Sequence, residues 1–234
     1  MKPSVLLAAA GSYLNSQWRG SRNVWPSKGG PFITLSREAG SGGASLAKLL
    51  ARELNAGNNS ENFWSVYEAN LTTKMLQANQ LPTRFARFLP EDRVPEIKAT
   101  IGEMVGLHPS LWDLVQKTND TMRQLARSGH TILVGRGANF ATADLPNGIH
   151  VRLVAPAAHR AKYLAELYGI SEAVAYGHNA RCNTARRRYV AAHFNANVAD
   201  PLAYDLVINT SRISLPQAAK LIASHVHART NPRP

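Results

Sequence analysis

A chain of 234 residues, 44% of them hydrophobic, has room for one sizeable α/β domain, or a domain with an inserted lobe, and is too apolar for wholesale disorder. Lysine and arginine outnumber aspartate and glutamate by 27 to 15, giving +12 and a pI near 10.3. A single cysteine, Cys182, excludes an intramolecular disulfide and a cysteine-based zinc site and fits a reducing cytoplasm.

Most of the positive charge is arginine, whose planar fork suits bidentate phosphate contacts. Nucleotides, nucleic acid or an anionic surface are the expected kinds of partner, although a genome rich in arginine codons gives the same excess. No apolar run approaches the roughly 20 residues that span a bilayer, so no membrane partner is expected. The apolar run in "MKPSVLLAAAGS" is short for a signal peptide.

Residues 1–30 read as an N-terminal extension ending in the Pro/Gly-rich "WPSKGGP". "FITLS", from Phe32, is then a buried strand, and Leu46, Leu49, Leu50 and Leu54 recur at helical spacing. "FWSVY" (63–67) is a second short strand. Glu68 to Arg127 reads as almost wholly helical, with breaks at Leu81-Pro82, Leu89-Pro90 and Gly106 to Pro109 and an end at Ser128-Gly129. "TILVG" (131–135) and "IHVRLVA" (149–155) are buried strands, and Pro156 opens a helix. An arginine-bearing helix runs from Ser171 to about Asn195. "YDLVINT" (204–210) is the last strand, "SLPQAAKLIASHVHA" the closing helix, and "RTNPRP" a frayed end. Strands alternating with helices predict a parallel sheet covered on both faces.

Three stretches carry chemistry. In "SREAGSGGAS", Gly40, Gly42 and Gly43 let the backbone turn tightly and bring N–H groups to an anion, and the helix after them adds its positive dipole end. Ser41 or Ser45 adds a hydroxyl, Ser45 where a phosphate-loop hydroxyl holds Mg²⁺. The lysine such loops usually carry is replaced by Gly43, followed by Ala44. Arg37, six residues earlier, has the length to curl back and supply the charge; its other reading is a pair with Glu38 or with a carboxylate across the sheet. In "VGRGANF", Arg136 leaves a strand between two glycines at the edge where α/β sheets bind ligands. In "RCNTARRRYV", Arg181, Arg186 and Arg188 gather on one helical segment; phosphoryl groups, an RNA backbone or solvent are all fit company for them.

Together, "ITLSREAGSGGASLAKLLARELN", "LARSGHTILVGRGANF" and "YDLVINTSRISLPQAAKLI" resemble the cytidylate kinase-like family of P-loop nucleotide kinases, over about Pro31 to Val226. The resemblance implies a three-layer α/β P-loop kinase fold: a five-stranded parallel sheet, a helical monophosphate-binding lobe and an arginine-bearing lid. It places the kinase domain at 31–228, with the lobe at 68–128 and the lid at 171–195, and a tail at 229–234. It implies transfer of the ATP γ-phosphoryl group, with Mg²⁺ as cofactor, to a nucleoside monophosphate, CMP or dCMP by the family name. ATP phosphates then lie on Gly40, Ser41, Gly42, Gly43, Ala44 and Ser45. Arg136 and Gly137 hold the acceptor, Arg186 and Arg188 join Arg37 at the transferring group, and Asn209, Thr210 and Arg212 lie near the adenine. The lysine-free loop is typical of this branch. Two positions depart from the family: Asn183, where the lid often carries Asp, and Ser45, where an acidic residue is common. A regulatory nucleotide-binding protein without turnover, or a basic RNA-binding protein on the same fold, are the rival readings.

Overall fold

The computed structural model describes residues 29–56, 62–68, 111–135 and 137–230. The expected extension, most of the expected lobe and Arg136 lie outside the described residues. Strand β1 (Phe32–Arg37) leads through the glycine loop into α1 (Gly43–Asn55), followed by β2 (Ser65–Tyr67). Helix α2 (Leu111–Ser128), β3 (Thr131–Val134), the short α3 (Ala138–Ala141), β4 (Gly148–Val154) and α4 (Ala157–Tyr168) come next. The chain then runs through α5 (Glu172–Phe194), β5 (Leu206–Asn209) and α6 (Leu215–Thr230).

All five strands are parallel, in the order β2-β3-β1-β4-β5. The alternation of side chains across the sheet builds one core per face. Ile33, Leu35, Ile132, Val134, Ile149, Val151, Leu153 and Ile208 point to the face where Leu46 and Leu50 of α1 and Ala218 and Ile222 of α6 lie. On the other face Phe32 and Leu133 pack with Met122, Leu125 and Ala126 of α2 and Ala138 of α3. Trp64 is buried in the first core with its ring edge-on to His130, so this aromatic serves packing.

Helix ends follow their local chemistry. Gly129, with φ 74°, succeeds α2, and Ser171 caps α5 through Val174 N–H to its Oγ at 3.3 Å. Pro156 stands one residue earlier than a first helical position, at the N-cap of α4. The expected fraying at Arg229 does not occur. Helix α6 continues to Thr230 because Arg229 Nη1 donates to the Gly148 carbonyl at 2.8 Å and lies 3.5 Å from Asp205. No helix among the described residues is long and apolar enough to cross a membrane.

Candidate active site

The glycine loop leaves the carboxyl end of β1, the central strand. Gly40 (φ 80°) and Gly42 (φ 84°) take left-handed conformations that cost other L-residues about 1–2 kcal/mol. Gly42 is the N-cap of α1, and Leu46 N–H returns to its carbonyl at 2.8 Å. No side chain caps this helix and no acidic residue lies in its first turn, which leaves its positive end to an anion. Ser41 is buried and folds inward, its Oγ donating to the Glu38 carbonyl at 2.8 Å.

Arg37 runs along this loop. A Cβ on Gly43 would stand 2.9 Å from Arg37 Cγ, and a Cβ on Gly135, at the end of β3, would overlap Arg37 Nη1. The side chain therefore passes the start of α1 and ends beside the β3 edge. Glu38 is occupied elsewhere: Ala155 N–H donates to its Oε2 at 3.0 Å, and Arg160 Nε stands 3.4 Å away. Arg160, buried in α4, also donates to the carbonyls of Ala155 (2.8 Å) and Ala39 (3.0 Å). One acid and one arginine thus brace the loop from below.

Helix α5 covers the loop from the other side. Ala39 N–H donates to Asn183 Oδ1 at 2.7 Å, and Arg186 Nη1 donates to the Arg37 carbonyl at 3.0 Å. Asn179, one turn before Asn183, is 2% exposed; a Cβ on Gly40 would meet its Nδ2 at 2.6 Å. Further along, Tyr189 and Val190 pack with Val198, Phe140 and Phe194. A Cβ on Gly137, φ 65°, would meet the Phe194 ring at 2.5 Å, so the turn after β3 is fitted to the end of α5.

On the β4–β5 side, Asn209 Oδ1 accepts from Ser211 N–H (3.0 Å) and Ser211 Oγ (2.7 Å), making a tight turn. Thr210 N–H donates to the Val154 carbonyl at 2.9 Å. This turn abuts the glycine loop through Leu215, whose methyls stand 2.9 Å from where a Cβ on Gly42 would sit.

A model of the cytidylate kinase-like family matches residues 32–212. The chain belongs to the cytidylate kinase-like family. An uncharacterized protein from Eubacterium ventriosum ATCC 27560 is similar in fold, at 21% identity and a TM-score of 0.64 over 85% of this chain and 99% of that one. More distant likenesses are a shikimate kinase from Bacteroides thetaiotaomicron (14% identity, TM-score 0.44, 86% of this chain and 98% of that one) and the Mycobacterium tuberculosis APS kinase in complex with AMPPNP and APS (17%, 0.43, 83% and 96%). No curated protein matches the chain. The expected α/β architecture, a five-stranded parallel sheet flanked by helices, is the one observed.

Within this family member, Gly40 to Ser45, Arg37, Gly137, Arg186 and the Asn209–Arg212 turn converge at the carboxyl edge of the sheet. Arg188 and Arg181 are exposed, and Arg188 lies two residues from Arg186, about 200° around α5. Arg212 is exposed on its turn. Arg136 lies outside the described residues. Cys182 Sγ is 3.4 Å from His178 Nε2, one helical turn away. His193 packs against Tyr189 with the rings tilted, and burial pushes its imidazole below its ordinary pKa.

The donor set for Mg²⁺ is sparse. Among the described residues no three His, Cys, Asp or Glu side chains cluster. Ser45 Oγ lies 2.8 Å from Tyr163 Oη, in the contact between α1 and α4. Such a set fits an ion that arrives on nucleotide phosphates and keeps several waters, with the Ser45 hydroxyl as the one protein oxygen offered in the first turn of α1. Sequence reasoning missed Arg160, Arg152 and Asn179. Arg160 meets Ala39 across 121 residues and Arg152 meets Ser36 across 116, Asn179 packs against the distant Gly40, and no local pattern marks any of them.

Proposed function

We propose that this protein is a nucleotide kinase that moves the γ-phosphoryl group of ATP to a nucleoside monophosphate, CMP or dCMP being the acceptors the family name favours. The observation that carries the reading is the uncapped, left-handed glycine loop with the Arg37 stem beside it and Arg186 over it. In-line phosphoryl transfer needs positioning and neutralisation of charge more than covalent chemistry, and this corner offers both.

In this reading the loop amides and the start of α1 bind the ATP phosphates. Arg37 supplies the charge of the missing lysine from the β3 side. Arg186 neutralises the transferring group, Arg188 assists from the same helix, and Arg136 with Gly137 binds the acceptor phosphate. Asn209, Thr210 and Arg212 border the adenine. Bound Mg²⁺ neutralises β- and γ-phosphate oxygens, with Ser45 in reach as a donor. Asn183 spends its amide oxygen on Ala39 N–H, a role a carboxylate also fills, so its neutrality leaves the loop contact intact.

A coupled assay of ADP release with CMP, dCMP, UMP and AMP tests the proposal; no acceptor-dependent release with any of them would sink it. Tight ATP binding with no turnover would instead support a regulatory nucleotide-binding protein, for which Asn183 in place of an acidic lid residue is the specific observation.

A further inference from the structure

Across β1 and β4, on the face away from α1, two polar pairs face each other in register: Thr34 with His150, and Ser36 with Arg152. Thr34 Oγ1 is 2.8 Å from His150 Nδ1, and Arg152 Nη1 donates to Ser36 Oγ at 3.0 Å. The second pair sits at the sheet's carboxyl edge, one residue before Arg37. Arg152 is 7% exposed. Its guanidinium lies 5.6 Å from the centre of the Tyr204 ring, and Tyr204 Oη donates to Val198 O at 2.8 Å and stands 3.3 Å from Ser36 Oγ.

This guanidinium forms no salt bridge with a described carboxylate. Glu38 is taken by Arg160 and Ala155 N–H, and Asp205 by His150 N–H and Arg229. Burying a guanidinium without a counter-charge carries a penalty of several kcal/mol, which a methionine in the same space avoids. A guanidinium has five donors, and the described residues engage one of them and one ring face. The adjoining Arg37 carbonyl is where Arg186 reaches in from α5.

We propose that Arg152, with Ser36 and Tyr204, is a binding seat for a phosphate oxyanion: the monoester phosphate of the acceptor. The proposal rests on the phosphotransferase reading above, and a guanidinium fork suits a phosphate dianion. The fork takes two phosphate oxygens, the Tyr204 ring covers one of its faces, and the Ser36 hydroxyl stands beside it as a further donor. Arg152 binds substrate here and takes no part in bond making.

The test is titration calorimetry of inorganic phosphate into the full chain with saturating ADP present, for wild type, Arg152→Met and Arg152→Gln, with melting temperatures in phosphate-free buffer. The expected result is at least tenfold weaker phosphate binding in both variants, with a melting temperature equal to or above wild type. Wild-type phosphate affinity in the variants, no phosphate binding by wild type, or two variants that melt early or fail to fold would each overturn the seat. ADP that fails to bind at all counts against the kinase reading instead, and the phosphate comparison is then read without it.

Discussion

Arg37 and Gly43 occupy one another's space: a Cβ at residue 43 would stand 2.9 Å from Arg37 Cγ. The loop's lack of lysine and the presence of that arginine are therefore one feature. Adding the lysine back, Gly43→Lys, is expected to lower stability by about 1–3 kcal/mol through overpacking and to weaken ADP binding. Pairing it with Arg37→Ala should relieve the collision. A double-mutant cycle in melting temperature reads the coupling, and simple additivity would show that the two residues are independent.

Gly135 tests where the Arg37 charge ends. With φ 81° and the guanidinium in its Cβ position, Gly135→Ala should both strain the turn and displace Arg37. We expect triphosphate affinity to fall at least tenfold, as it should in Arg37→Ala. The check is calorimetric titration with AMPPNP, and unchanged affinity in both variants would remove Arg37 from the phosphate site.

The two α5 arginines should differ. Arg186 touches the loop backbone while Arg188 is exposed two residues on. Arg186→Ala is expected to lower kcat by about 10²-fold with a smaller change in KM. Arg188→Ala should have the lesser effect, and the reverse order in steady-state kinetics would mean that α5 turns when substrates bind.

The brace under the loop has its own signature. Glu38→Gln removes the charge that Arg160 meets but keeps a group able to accept from Ala155 N–H. Because Arg160 is buried, the variant should lose roughly 1–3 kcal/mol of stability, the cost of leaving a buried guanidinium without its counter-charge. Chemical denaturation measures it, and a loss below the experimental error would assign the brace to the backbone bonds of Arg160 alone.

Stability should also fall on acidification through a histidine route. Burial pushes the imidazoles of His130, His150 and His193 below the ordinary 6.5; for His150 the Asp205 carboxylate pulls partly the other way. The unfolded chain then takes up protons first, so the contribution is whole above about pH 6.5 and is lost as pH falls toward the folded values. His150→Asn is expected to flatten the slope of melting temperature against pH below about 6.5 without abolishing it, since the other two shift in the same sense. An unchanged slope would show that His150 titrates normally.

How much of this was legible in the chain depends on the range of the cause. The runs at Phe32, Thr131 and Ile149 announce strands because burial on both faces demands continuous apolar residues, and the glycines at 40, 42 and 43 announce a turn because few other residues accept its angles. Helix α5 was readable from Ser171 to Asn195, since its cap and its left-handed end, φ 49° at Asn195, are local. The site's other half was not readable. Arg160 meets Ala39 across 121 residues and Asn183 meets Ala39 across 144, and both pairings exist only once β1 lies next to β4. Even Arg37, singled out by its place at the end of the strand before the loop, had its endpoint fixed by Gly135, a contact between neighbouring strands. Arg229, assigned to a frayed tail by composition, is held by the Gly148 carbonyl.

Strand β1 is the central strand, paired with β3 along four residues and with β4 along six. Its amide protons should therefore be among the slowest in the chain to exchange with deuterated solvent, released only when the whole sheet opens. The glycine loop starts where that protection ends. Any rearrangement that admits a ligand must then come from the covering helices, because the strand beneath the loop cannot shift without unfolding its neighbours.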